Sequence, residues 1–129
     1  MHIEGLRYQE GQTQPICLTD VYLAPRFRSV EGVQGAMRGP LYRLLEKQFD
    51  FTIKAVQQEI RAMVLNVQLA KKLGVSARTA GLWIARRYLD ERDELVELAV
   101  SVHPAERFSY RESFRRDWQL SHINTDTTH

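Results

Sequence analysis

The sequence predicts an α+β domain: a mostly antiparallel β-sheet with a few short flanking helices. Three observations carry that expectation. Val96, Leu98, Val100 and Val102 alternate with Glu97, Ala99, Ser101 and His103, the period of two that puts successive side chains on opposite faces of a strand. Two extended runs near the N-terminus are separated by a polar stretch of the kind that turns a chain back on itself. Between these ribbons stand only short segments of helical periodicity. With 129 residues and 43% hydrophobic content, the chain can bury one core but not two, so one domain is expected over residues 1–120, with a polar tail over 121–129.

Ile3 to Tyr8 reads as the first strand, Gln9 to Gln14 as a turn, and Pro15 to Leu23 as the returning strand, stopped at Ala24-Pro25. Gly32, Gly35, Gly39 and Pro40 mark the loop that follows. Leu41, Leu44, Leu45 and Phe49 fall on one helical face, with Arg43, Glu46 and Lys47 opposite, which predicts an amphipathic helix over 41–49. Periodicity leaves Thr52 to Val64 open to strand or helix, and its surroundings favour strand. Asn66 is placed to cap a helix that ends at Leu73, with Gly74 where a left-handed residue is wanted. Ala80 to Leu89 and Glu94 to His103 form a hairpin through the polar turn Asp90 to Glu94, and Pro104 ends it. Arg107 to Arg116, with Phe108, Tyr110 and Phe114 as its large residues, reads as a last strand.

A formal net charge of +2 on a chain with 26% charged residues describes a mixed surface rather than a field built for a polyanion. Lys71-Lys72, Arg86-Arg87 and Arg115-Arg116 are local basic pairs of the kind usually found on solvated faces. The lone Cys17 is expected as a small buried apolar residue. His2, His103, His122 and His129 lack metal-ligand spacing, so neither a metal nor another cofactor is expected. No apolar stretch approaches the ~20 residues that cross a bilayer, and Met1 to Glu4 does not start a signal peptide; the expectation is a cytoplasmic protein without membrane contact.

Val67 to Leu89 has spacings that resemble a helix-turn-helix, through Ala70, Leu73, Gly74, Val75, Ser76 and Thr79. A recognition helix over 78–89 would carry Gly81 in its interior, at about 1 kcal/mol relative to alanine. Its reading face would present Ala77, Arg78, Ala80 and Gly81, a set poor in bidentate donors to base edges. The strand that follows after a short turn also demands a hairpin partner here, so the strand reading is preferred.

Three blocks, Leu6 to Phe27, Gly39 to Ile53 and Gln68 to Tyr110, resemble in order and separation the UTRA effector-sensing domain of HutC-type regulators in the GntR superfamily. The resemblance implies a chorismate-lyase-like fold and a homodimer that binds a small polar or anionic metabolite. It implies DNA binding only through an N-terminal winged helix that this sequence lacks, and a chain that begins inside the sensing domain. Carried over residue by residue, it implies that Arg7 and Tyr42 sit near an anionic group of the ligand. Thr19 or Asp20 would accept from a ligand hydroxyl, and Glu97 and His103 would line the site from one strand face. Arg86 and Asp90 match family positions that could equally brace the hairpin.

The chemistry suits that role, since a guanidinium offers a planar fork to carboxylate or phosphate while a carboxylate accepts from hydroxyl or amine donors. Blander readings stand beside it: Arg7 and Glu97 as surface ions, Tyr42 as half-buried core, His103 as a strand-end hydrogen bonder. Phosphosugar-sensing relatives tend to carry a second arginine two positions before Arg7 and a serine two before Tyr42, where this chain has Gly5 and Pro40, which argues against an aminosugar phosphate. A chorismate-lyase-like enzyme is the alternative of another class, but no nucleophile-base pair or metal site supports turnover, and the chain is read as a non-enzyme.

Overall fold

The computed structural model describes residues 1–8, 11–33 and 41–116. Gly35, Gly39 and Pro40 of the expected loop, and the expected tail over 121–129, lie outside the described residues. Five strands, β1 (His2–Tyr8), β2 (Pro15–Leu23), β3 (Ile53–Val64), β4 (Ala80–Asp90) and β5 (Leu95–Pro104), form one antiparallel sheet in the order β1-β2-β5-β4-β3. Among the described residues two helices, α1 (Leu41–Gln48) and α2 (Val67–Leu73), join the sheet in the α+β architecture expected from the alternation. The segment left open between helix and strand is β3, a twelve-residue strand on the free side of β4.

Each face of the sheet packs against one helix over part of its area. Leu23, Phe27, Leu41, Leu45 and Val96 join α1 to one face, and the Phe27 ring meets Phe49 edge-on at 5.1 Å. Leu18, Leu65, Ala70, Leu73 and Val102 join α2 to the other, with Trp83 packed against them. A buried leucine of this kind is worth roughly 1.5–3 kcal/mol against exposure, so the two clusters give each helix a fixed seat.

The helix-turn-helix reading fails at its second helix. Gly74 takes the left-handed conformation (φ 69°) that ends α2, and Ala80–Asp90 is a strand paired on both sides. Asn66 caps α2 as expected, its Oδ1 accepting from the Leu69 amide at 2.8 Å. Asn66→Ala is therefore expected to cost about 1 kcal/mol, read as a lowered midpoint in denaturant unfolding.

Arg107 to Arg116 is not a strand. Ala105–Arg107 is a short 3-10 turn and Phe108 to Arg116 runs on without a ladder. The alternation that suggested a strand survives as burial: Phe108, Tyr110 and Glu112 are half-buried while Ser109, Arg111 and Ser113 are exposed. Alternating large residues specify which side faces the protein, but a strand also needs a hydrogen-bonding edge, which the alternation does not encode. Arg107 anchors the start of this segment, donating to the carbonyls of Pro15 (3.0 Å), Leu73 (2.7 Å) and Gly74 (3.0 Å).

Candidate functional site

Residues directly opposite in an antiparallel ladder share a face. The pairs Arg7↔Cys17, Thr19↔Ser101, Arg86↔Ala99, Tyr88↔Glu97 and Gln58↔Arg86 therefore collect Arg7, Cys17, Thr19, Gln58, Arg86, Tyr88, Glu97, Ser101 and His103 on the face that α1 covers. Contacts agree with the register. Tyr42 of α1 stacks on Tyr88 with ring centroids 5.2 Å apart, Arg86 hydrogen-bonds Tyr88, and Arg86 Nε donates to Gln58 Oε1 at 2.6 Å. His103 Nε2 and Ser101 Oγ lie 2.9 Å apart, and the Cys17 thiol is 3.6 Å from the Thr19 hydroxyl.

Two of these side chains are buried yet incompletely partnered. Glu97 is only 4% exposed and His103 7%, and Glu97 Oε1 and His103 Nδ1 have no hydrogen-bond partner among the described residues. Burial without a partner disfavours the charged form of each group, which moves an acid and a base in opposite directions. It raises the Glu97 carboxyl to about 7, against a smaller lowering influence of Arg7. It lowers the His103 imidazole to about 4, with Arg86 adding to the effect and the Ile16 backbone opposing it. The Tyr88 hydroxyl is raised by burial and by the neighbouring Glu97, and burial likewise raises the Cys17 thiol. An unmatched buried polar atom of this sort costs about 1–3 kcal/mol.

The UTRA domain model matches residues 1–109. The chain belongs to the UTRA domain family. Its fold is shared by a GntR-family transcriptional regulator from Enterococcus faecalis V583, at 20% identity and a TM-score of 0.74 over 87% of this chain and 78% of that one. The effector domain of PhnF from Mycobacterium smegmatis superposes with the same TM-score of 0.74 at 17% identity, over 88% of this chain and 68% of that one. The C-terminal domain of Yurk from Bacillus subtilis gives 0.70 at 12% identity, over 84% and 73%. No curated protein sequence matches the chain significantly.

In this UTRA domain, six of the seven residues picked from the sequence share one face: Arg7, Thr19, Tyr42, Arg86, Glu97 and His103. Asp20 does not. It follows Thr19 on the strand and points to the α2 side, where His2 Nε2 lies 2.8 Å from its Oδ1, so its carboxylate belongs to a surface pair. Glu97 is no surface ion, since it is buried, whereas Arg7 is exposed at the rim. Asp90 is the brace that sequence reading allowed. It accepts from Arg26 Nη2 at 2.7 Å and from the amides of Arg92 and Glu94 at 2.9 Å, and the arginine bond above all holds its carboxyl below the ordinary range.

Sequence reasoning passed over Tyr88, Gln58 and Tyr110. Parity along the hairpin would have found Tyr88, which stands opposite Glu97, but Gln58 and Tyr110 carry no local signal. Gly5, opposite Thr19, lies on the same face, and a Cβ built there would meet nothing within 4 Å.

Proposed function

We propose that this UTRA domain is the regulatory ligand-binding domain of a homodimeric GntR-family, HutC-type transcription regulator. Its ligand is a small polar metabolite with one anionic group and at least one hydroxyl or amine donor. Arg7 and Arg86 receive the anion, Glu97 Oε1 and His103 Nδ1 meet the polar groups, Tyr42 and Tyr88 supply a stacked aromatic wall, and Thr19 adds a hydroxyl. The observation that carries the reading is the pair of buried, unmatched polar atoms on the face that also holds the Arg86 guanidinium. Occupancy selects one arrangement of the paired domains and so governs DNA binding by a winged-helix domain of the regulator.

A thermal-shift screen of metabolites tests this. A ligand present at ~100 times its dissociation constant stabilises the domain by about 2.7 kcal/mol. Stabilisation by duplex DNA and by no metabolite sinks the sensing role, and consumption of a stabilising ligand turns the reading toward an enzyme.

A further inference from the structure

The two edges of the sheet are unlike. β1 is seven residues long, holds Gly5 with the charged Glu4 and Arg7, and shifts register between Arg7 and Tyr8, all features that blunt an edge. β3 is twelve residues long, and from Val56 to Val64 it has no proline, glycine, lysine or bulge; its register shift falls earlier, between Ile53 and Ala55. The backbone of Leu65 bonds inward, its amide donating to the Thr79 carbonyl and its own carbonyl accepting from the Arg78 amide, both at 2.9 Å. Bonding alternates along an antiparallel ladder, so Gln57, Glu59, Arg61 and Met63 also face β4, while Val56, Gln58, Ile60, Ala62 and Val64 aim their N–H and C=O groups away from it. No strand pairs with that edge among the described residues. The same outward-bonding residues carry their side chains on the face of Tyr88 and Arg86, where Val56 is 49% exposed, Ile60 38% and Val64 64%. Beyond β5 the chain returns to this face: Phe108 stacks on His103 with ring centroids 3.9 Å apart, and the Tyr110 hydroxyl accepts from Gln58 Nε2 at 3.2 Å.

We infer that the β3 edge pairs with the β3 edge of a second copy of this chain, antiparallel about a two-fold axis at Ile60, so that two sheets become one across the dimer. This gives the homodimer of the reading above its seam, and it is independent of any ligand. Charge selects the register. An axis at Ile60 sets Glu59 of each copy opposite Arg61 of the other, whereas an axis at Glu59 sets that carboxylate against itself and an axis at Arg61 does the same to the guanidinium; like charges directly opposite are unfavourable. Moving the axis to Gln58 or Ala62 puts Val64 or Val56 opposite residues outside β3. With Ile60 on the axis, Ile60–Ile60, Val56–Val64 and Gln58–Ala62 are hydrogen-bonded pairs, and every outward N–H and C=O from Val56 to Val64 gains a partner. The exposed valines cover one another, and the small Ala62 leaves room beside Gln58 and the Tyr110 that it holds. Arg61 is already oriented, with Nε and Nη2 donating to Glu59 Oε2 at 3.0 and 2.8 Å and its guanidinium 5.2 Å from the centre of the Trp83 ring, so the seam carries an alternating cluster of charges. Opposite residues share a face, which brings both candidate sites to the same side of the joined sheet.

Sedimentation of the chain measures the association, and oxidative cross-linking reads the register. Hydrogen-bonded opposite residues lie about 5.5 Å apart at Cα, within reach of a disulfide. Ile60→Cys is expected to give a covalent dimer. Val56→Cys alone gives none, but mixed with Val64→Cys it does; the unaltered chain, whose Cys17 is buried, sets the background. Glu59→Arg and Arg61→Glu each weaken self-association by about tenfold, and an equimolar mixture of the two regains it, because the mixed pair again sets arginine against glutamate at both positions. Unfolding midpoints report that each variant keeps its fold. If the chain dimerises while Ile60→Cys fails to cross-link and the charge reversals leave association unchanged, the seam is overturned and the homodimer stands. If the chain sediments as a monomer at every concentration, seam and homodimer fall together, and the ligand reading is judged separately by the metabolite screen.

Discussion

Glu97→Gln raises the stability of the domain at about pH 8 by about 3 kcal/mol and exposes a pH dependence that the unaltered protein conceals. The carboxyl is raised from 4.5 to about 7 in the folded state, so folding strengthens its hold on the proton. Its contribution is complete below pH 4.5, declines through the interval up to 7, and is gone above it. Glutamine is neutral throughout and avoids that loss.

His103 works the other way. Its folded value, lowered from 6.5 to about 4, gives a contribution that is complete above 6.5 and disappears as pH falls toward 4. Between 4.5 and 6.5 the two slopes oppose each other, and the part of the stability profile they set is nearly flat. Glu97→Gln leaves the His103 slope, so stability climbs with pH over that interval. His103→Gln leaves the Glu97 slope, and stability descends. Denaturant unfolding of the three proteins across this range reads both signs, and parallel profiles would show that neither side chain is held as its burial implies. Arg7, Arg86 and Tyr88 face the pair, and a bound anion would lessen the pull of the guanidinium groups on both values.

Gly81→Ala destabilises the domain by about 3 kcal/mol. A Cβ at Gly81 would stand 2.9 Å from the His103 carbonyl oxygen and 3.0 Å from Leu65 Cδ2. Neither neighbour yields cheaply, because the oxygen is backbone in the adjoining strand and Leu65 is fully buried against α2. The ladder must open at Gly81↔Pro104, beside His103, so amide exchange along β4 and β5 should accelerate together with the fall in stability. The sign carries the argument. In a helix interior the same substitution would be stabilising by about 1 kcal/mol, so a gain on Gly81→Ala would restore the helical reading of this segment.

Gly81 also shows how a correct conclusion can rest on a partial reason. In the sequence it argued against a recognition helix through its cost to helical backbone, whereas in the fold it permits a close approach between strands and a buried leucine. Asn66 and Gly74 needed no such revision, because a cap and a left-handed stop act within a few residues of themselves. Asp20 is the contrasting case. Neighbours on a strand face opposite ways, so Thr19 and Asp20 could never both line one face, and only the pairing of Thr19 with Ser101 decided between them.

The hairpins, the two helices and the face shared by Glu97 and His103 were written into the chain itself, since turn residues, caps and a period of two express local backbone geometry. Arg86 to Gln58 to Tyr110, Arg107 to Pro15, and Phe108 to His103 arise only when five strands take one order, because they join residues 28, 52 and 92 apart in the first two cases and cross the end of a strand in the third. Contacts at such separations leave no periodic trace: their partners are chosen by the register of the assembled sheet.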